Sequence, residues 1–184
     1  MRKGYRGFTL LEVSMVLPLA MIAAGVGIIQ LSKSVAAVDA DTAGHAVESQ
    51  LHYAREIAAN QRRNVIVEFN SPDMIAIKRL ETDGTLTTIE TTTLPSGFSF
   101  GFPASDVGDT PDGYGADAPV DFDGDSSGIF GADGTFVNNS RVVVSGTVYT
   151  VGATNGTARA VTLSGANGRT KQYYIRDGAW TERK

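Results

Sequence analysis

Arg2-Lys3-Gly4-Tyr5-Arg6-Gly7-Phe8-Thr9-Leu10-Leu11-Glu12-Val13 opens the chain, and the run from Phe8 to Leu31 carries a single charge, Glu12. At about 1.5 Å per residue a helix over that run is longer than the roughly 30 Å hydrocarbon core of a bilayer. The segment is therefore expected to span a membrane. Three cations precede it and a lone Lys33 follows, a bias that holds the short N-terminus in the cytoplasm and sends the remainder across. An ordinary secretory signal also couples a basic region to an apolar one. This run is longer than such a signal, and a carboxylate at Glu12 costs free energy to bury in hydrocarbon.

Outward from that run, the helix is expected to continue to about Asn60. Leu31, Val35, Val38, Ala46, Leu51, Ala54 and Ile57 recur mostly at three- to five-residue steps, with Asp39, Asp41, Glu48, Arg55 and Glu56 between them. One amphipathic stem of about 80 Å from Phe8 to Asn60 is the expectation, its second half packed on a globular head. Pro18 removes the backbone bond to the Ser14 carbonyl and is expected to kink or loosen the helix, with Gly25 and Gly27 loosening it again. His45 and His52 lie about 10 Å apart along such a helix, too far to share a metal.

From Asn64 the period changes. Val65-Ile66-Val67-Glu68-Phe69, Met74-Ile75-Ala76-Ile77, Arg141-Val142-Val143-Val144, Ala160-Val161-Thr162-Leu163 and Gln172-Tyr173-Tyr174-Ile175 are short β-prone runs. Asp83-Gly84, Asp133-Gly134, Asn155-Gly156, Asn167-Gly168 and Asp177-Gly178 suit tight hairpin turns. The expected class is α+β, a long N-terminal helix on an antiparallel β-sandwich head. With 184 residues one core is the default, and with no cysteine there is neither a disulfide framework nor a thiolate site.

Gly7-Phe8-Thr9-Leu10-Leu11-Glu12-Val13 behind a basic leader resembles the prepilin signature of type IV pilins and of the pseudopilins of type II secretion. The resemblance implies that a prepilin peptidase of the inner membrane cuts between Gly7 and Phe8 and methylates the new amine of Phe8. Residues 1–7 are then the leader, 8–31 the membrane and assembly helix, 32–61 the stem and 62–184 the head. Cleavage would place a cation on Phe8, and Glu12, about 6 Å further along the helix, would offer the opposite charge. The family's picture is that Glu12 pairs with the amine of a neighbouring subunit during assembly. A capping box, Thr9 as N-cap and Glu12 reaching back to it, reads the same residues without assembly, and both can hold at once.

The head is also similar to that of GspH/FimT-type minor pseudopilins. The similarity lies in Ala54-Arg55-Glu56-Ile57 with Asn60-Gln61-Arg62-Arg63, in Ile129 to Phe136 (IFGADGTF), and in Arg159 to Ser164 (RAVTLS) leading to Gly168-Arg169. It implies a low-copy subunit of a secretion pseudopilus or a type IV pilus, with other pilin subunits as partners, no cofactor, and a periplasmic head before it joins the filament.

Charge is uneven: residues 80–140 hold 11 acidic and no basic side chains, while residues 141–184 hold 7 basic and 2 acidic. The acidic stretch includes a loop from about 102 to 127, rich in Gly, Pro, Asp and Ser and expected to be a solvated surface loop. Within it Asp121, Asp123 and Asp125 alternate as calcium ligands do, but Ser126 replaces the sixth-position glycine and Ala132 the bidentate glutamate. The basic tail offers Arg169, Lys171, Arg176, Arg183 and Lys184 among Tyr173, Tyr174 and Trp180, a pattern that can engage phosphates and bases. Some FimT-like proteins bind DNA in this way during natural transformation. Ordinary solvated cations on a terminal hairpin are the plainer reading, since the acidic loop would repel DNA. No GxSxG, HExxH or P-loop is present, so an enzyme is not expected.

Overall fold

The computed structural model describes residues 10–103, 107–115, 117–153 and 156–183, except for the side chains of residues 26–33. Helix α1 (Leu10–Gln61) runs through Pro18 as a single α-helix. Its end is set by backbone chemistry: Arg62 adopts a φ of 51°, and the Arg63 amide donates to the Ala58 carbonyl at 3.2 Å, the six-to-one closure of a Schellman cap.

The chain divides into two compact units, Met1–Ala36 and Ala37–Lys184. In the first, the described side chains from Leu10 to Gly25 are exposed all round the helix, with Leu10, Met15, Leu19 and Ile22 each more than two-thirds accessible. Among the described residues no helix is long and apolar enough to cross a membrane. The expected span from Phe8 to Leu31 lies partly outside the described residues.

The second unit adds eleven strands: β1 (Val65–Asn70), β2 (Met74–Leu80), β3 (Leu86–Thr93), β4 (Phe98–Phe100), β5 (Val120–Asp121), β6 (Ser127–Phe130), β7 (Phe136–Val137), β8 (Gly146–Gly152), β9 (Arg159–Ser164), β10 (Arg169–Arg176) and β11 (Ala179–Glu182). They form two antiparallel sheets, ordered β3-β2-β1-β6-β7 and β11-β10-β9-β8-β4, with β5 also paired to β8. The class is α+β, as expected. Hairpins turn at Gly84, Gly134, Gly168 and Gly178 with φ between +62° and +85°, a region that glycine enters without a Cβ clash.

The main core joins α1 to both sheets. Ala40, Ala43, Val47, Leu51, Ala54, Ile57 and Ala58 form the buried helix stripe, against Val65, Val67, Phe69, Ile75 and Ile77 of the first sheet and Val148, Val161 and Leu163 of the second. The expected stripe is corrected here: Val35 and Val38 are exposed, and the helix is buried only from Ala40. Small residues set the approach at that point. A Cβ on Gly44 would lie 2.0 Å from Gln172 Nε2 and 3.4 Å from Arg159 Cβ, so glycine lets α1 press against β9 and β10. The ring of Phe136 lies 4.9 Å from that of Phe122 and 4.8 Å from that of Phe130, and it occupies the space a Gly128 side chain would need.

The outer face of the second sheet is covered too. Tyr149, Ala158, Ala160, Tyr173 and Trp180 form a second cluster, with Val107, Val151 and Ile175 against it. Alternation along the strands explains the division, because Val161 and Leu163 face the helix while Ala160 and Tyr173 face outward. Neither cluster has a member before Ala40, so the second unit, Ala37–Lys184, contains the whole described core.

Two expectations fail locally. Arg141–Val144 is a β-prone run, yet Arg141 has a φ of 63° and only Val143 bridges to Val137; the strand begins at Gly146. Asn138 causes the difference, since its carboxamide oxygen accepts the amides of Ser140 and Val142 and curls the chain into a turn. The region 102–127 is not simply a solvated loop, because it contains β5 and buries Val120 and Phe122 in the core.

Candidate functional site

Glu12 stands in the first turn of α1, exposed among the apolar side chains Leu11, Val13 and Met15. Gly7, Phe8 and Thr9, the residues of the cleavage, methylation and capping readings, lie outside the described residues, as does Lys184.

The basic tail is only partly free. Lys171 makes an ion pair with Asp112, and Arg183 makes one with Asp41 at 2.6 Å. Arg176 faces Asp177 at 3.7 Å in a solvated pair, and Arg169 is exposed. Arg169, Lys171 and Arg183 border one small cavity of about 200 Å³ together with His45, Glu48 and Glu182, but the Lys171 ammonium turns to the outer face with Tyr173, while Thr170 meets Glu48 on the helix side.

Asp112 is the centre of a polar clasp. Its carboxylate accepts from Lys171 Nζ, from the Thr162 hydroxyl at 2.7 Å and from the Tyr173 hydroxyl at 2.9 Å. Burial pushes the Asp112 pKa up, but these three donors outweigh it and hold the carboxyl below its usual value. The hydrogen bond to Asp112 correspondingly pushes the Lys171 ammonium up. Nearby, Trp180 Nε1 donates to the Gly108 carbonyl at 3.0 Å, and the Tyr149 hydroxyl lies 3.1 Å from Asp109 Oδ1. Burial first, and then Asp109, push the Tyr149 pKa up. The described 107–115 segment is thus a strap pinned to β8, β9, β10 and β11.

A second polar anchor joins α1 to β9. Arg159 is buried, with its side chain 6% accessible, and its Nε donates to Asp41 Oδ1 at 2.8 Å. Its other nitrogens donate to the carbonyls of Ala158 at 2.8 Å, Gly156 at 3.3 Å and Ala37 at 3.3 Å. Burial raises the Asp41 pKa, and Arg159 and Arg183 outweigh that and lower it. Beside this anchor a cavity of about 470 Å³ is lined by Asp41, Arg159, Tyr174, Glu182 and Arg183.

The aspartates 121, 123 and 125 do not converge. Asp121 is buried, its carboxylate accepting the Gly124 amide at 2.9 Å and the Asp117 amide at 3.3 Å, while Asp123 is exposed at a φ of 61°. Among the described residues no group of three or more His, Asp or Glu side chains could hold a metal ion. Asp121 is committed to bracing a turn. The His45 and His52 rings instead flank Glu48, at 3.4 Å and 3.9 Å.

Three sequence segments far apart in the chain meet at Arg55. A Cβ on Gly168 would lie 2.6 Å from Arg55 Nε, and one on Gly134 would lie 3.0 Å from it, so the arginine passes between two glycine turns. Asp41, Arg159 and Asp112 are the structural side chains that sequence reasoning overlooked. Gly44 inside a strong helical pattern was the one available sign that α1 approaches a neighbour closely.

An α+β head on a long N-terminal helix that begins with an exposed apolar segment is the class of protein these elements define. No family profile matches the sequence, and no curated protein does. Solved structures that are similar include the type IV minor pilin FimU of Pseudomonas aeruginosa, at 14% identity and a TM-score of 0.49, covering 77% of this chain and 91% of that one. The minor pseudopilin EpsH of the type 2 secretion system of Vibrio cholerae is similar at 13% identity and a TM-score of 0.48, covering 74% and 97%.

Proposed function

We propose that this chain is a structural subunit of a type IV pilus or type II secretion pseudopilus, held by its N-terminal helix and displaying its head outside the inner membrane. The observation that carries the reading is the two-part character of α1. One continuous helix presents uncovered apolar side chains from Leu10 and Leu11 through Val13 to Ile22, and is then buried in its own head from Ala40. An uncovered apolar segment of this kind requires lipid or other helices around it.

Supporting this, the Gly7-Phe8 junction and Glu12 stand at the spacing of a prepilin cleavage and assembly site, with a prepilin peptidase and other pilin subunits as the partners. Leader removal after Gly7 and methylation of Phe8 precede assembly, and Glu12 then offers its carboxylate to the amine of another subunit. Replacing Glu12 by alanine is expected to abolish incorporation into filaments while leaving leader removal intact, read by mass spectrometry of the N-terminus and by filament fractionation. Normal incorporation of Glu12→Ala refutes the assembly role. The DNA-uptake reading has less support, because Lys171 and Arg183 are already held by Asp112 and Asp41.

A further inference from the structure

The head-bound part of α1 is unevenly attached. From Val47 onward its buried stripe consists of Val47, Leu51, Ala54, Ile57 and Ala58, whereas the turns before it offer only Ala40 and Ala43, followed by Gly44. Burial stabilises in proportion to the apolar area removed from water, and an alanine side chain is a single methyl. Opposite Gly44 the contact is also unfavourable. Gln172 is buried there, and neither its Oε1 nor its Nε2 has a hydrogen-bond partner. Water answers both atoms once α1 lifts away at this point.

One clamp opposes that movement. Among the described residues, the groups of 37–46 that bond to the sheets are the Asp41 carboxylate and the Ala37 carbonyl. Arg159 of β9 donates to both, and Arg183, just after β11, donates to Asp41 as well. Beyond Val47 the attachment changes character, with larger apolar side chains in the core and the Thr170 hydroxyl donating to Glu48 at 3.1 Å. We propose that residues 37–46 of α1 form a releasable dock, locked to β9 by the Asp41–Arg159 clamp and able to peel from the sheets while α1 from Val47 onward stays packed. Release moves the point at which the helix leaves the core from Ala40 to Val47, and it leaves both sheets intact. The device belongs to the head alone and does not rest on the filament reading.

The chain has no cysteine, so a single introduced thiol reports its own exposure. Ala43→Cys and Ala54→Cys place one at two fully buried positions of the same stripe, on either side of Val47. In the full chain held in detergent micelles, maleimide is expected to label the Ala43→Cys protein about tenfold faster or more than the Ala54→Cys protein, because local opening precedes global unfolding. Peeling exposes little surface, so urea is expected to speed the first reaction weakly and the second steeply. Adding Asp41→Ala removes the lock and is expected to speed Ala43→Cys labelling by about tenfold or more. Equal rates with equal urea dependence at the two positions, or an Ala43→Cys rate that Asp41→Ala leaves unchanged, overturns the proposal. Ala40→Cys, also at a fully buried position, serves if Ala43→Cys does not fold, with the same outcomes deciding.

Discussion

Removing the Asp41 carboxylate tests how α1 is held to the head. Arg159 is almost fully buried and donates to four acceptors, of which Asp41 is the only charged one. Stripping the partner from a fully buried ion pair costs about 3–5 kcal/mol. Here Asp41 is 29% accessible and three carbonyls remain on Arg159, so the expected loss for Asp41→Ala is nearer to about 2 kcal/mol. The Arg183 pair adds little, because that side chain is 37% accessible and solvent screens it. For a unit of this size about 2 kcal/mol lowers Tm by roughly 4–8 °C, which circular dichroism of residues 34–184 resolves. A cycle sharpens the reading: Asp41→Ala with Arg159→Met removes both charges and is expected to recover most of the loss, since an apolar pair can replace a buried ion pair. A loss below about 0.5 kcal/mol for Asp41→Ala, or a double variant less stable than both singles, refutes the reasoning.

Acid unfolding should follow from the lowered carboxyl pKa values of Asp41 and Asp112. A carboxyl with a depressed folded pKa contributes stability that is present above its unfolded value of about 3.9 and is lost as pH falls through the folded value. Asp41→Ala and Asp112→Asn are therefore expected to flatten the acid limb of a stability-against-pH curve, and an unchanged limb counts against the two anchors. At the alkaline end the raised Tyr149 pKa has the opposite sign: its contribution is present below about pH 10 and fades above it, and Tyr149→Phe should reduce that loss in base titration followed by fluorescence. Phe136→Ala empties the space between Phe122 and Phe130 and is expected to cost about 3–5 kcal/mol in urea unfolding. Trp180→Phe removes the bond to the Gly108 carbonyl, and hydrogen exchange in the 107–115 strap should accelerate while β9 remains protected.

Local chemistry is legible where a residue type acts on its own backbone. The Asp-Gly and Asn-Gly pairs at 83–84, 133–134, 167–168 and 177–178 mark turns because glycine takes a positive φ there whatever the tertiary context. The helix end near Asn60 is legible for the same reason, because a polar run stops the apolar period. Strand β3, Leu-Thr-Thr-Ile-Glu-Thr-Thr-Thr, carries no such signal: it is an edge strand, mostly exposed, and has little apolar alternation to show. The pairings of Asp41 with Arg159 and of Asp112 with Lys171 join residues far apart in the chain, and a single sequence holds nothing that links them. For the N-terminal site the case is reversed. Gly7, Phe8 and Glu12 are legible as a motif, and the structure describes only Glu12.

Charge along the sequence misleads because charge in space is arranged differently. An acidic middle and a basic tail suggest opposed surfaces, one repelling and the other attracting a polyanion. In the fold the strap lies across β10, so Asp112 reaches Lys171, while Asp41 of the helix reaches Arg183 beyond β11. Each acid that lands on a base removes that base from any phosphate-binding patch and joins two elements instead. The residues that make up the two charge totals serve as ties instead: Asp112 fixes the strap to β9 and β10, and Asp41 fixes α1 to β9 through the buried Arg159.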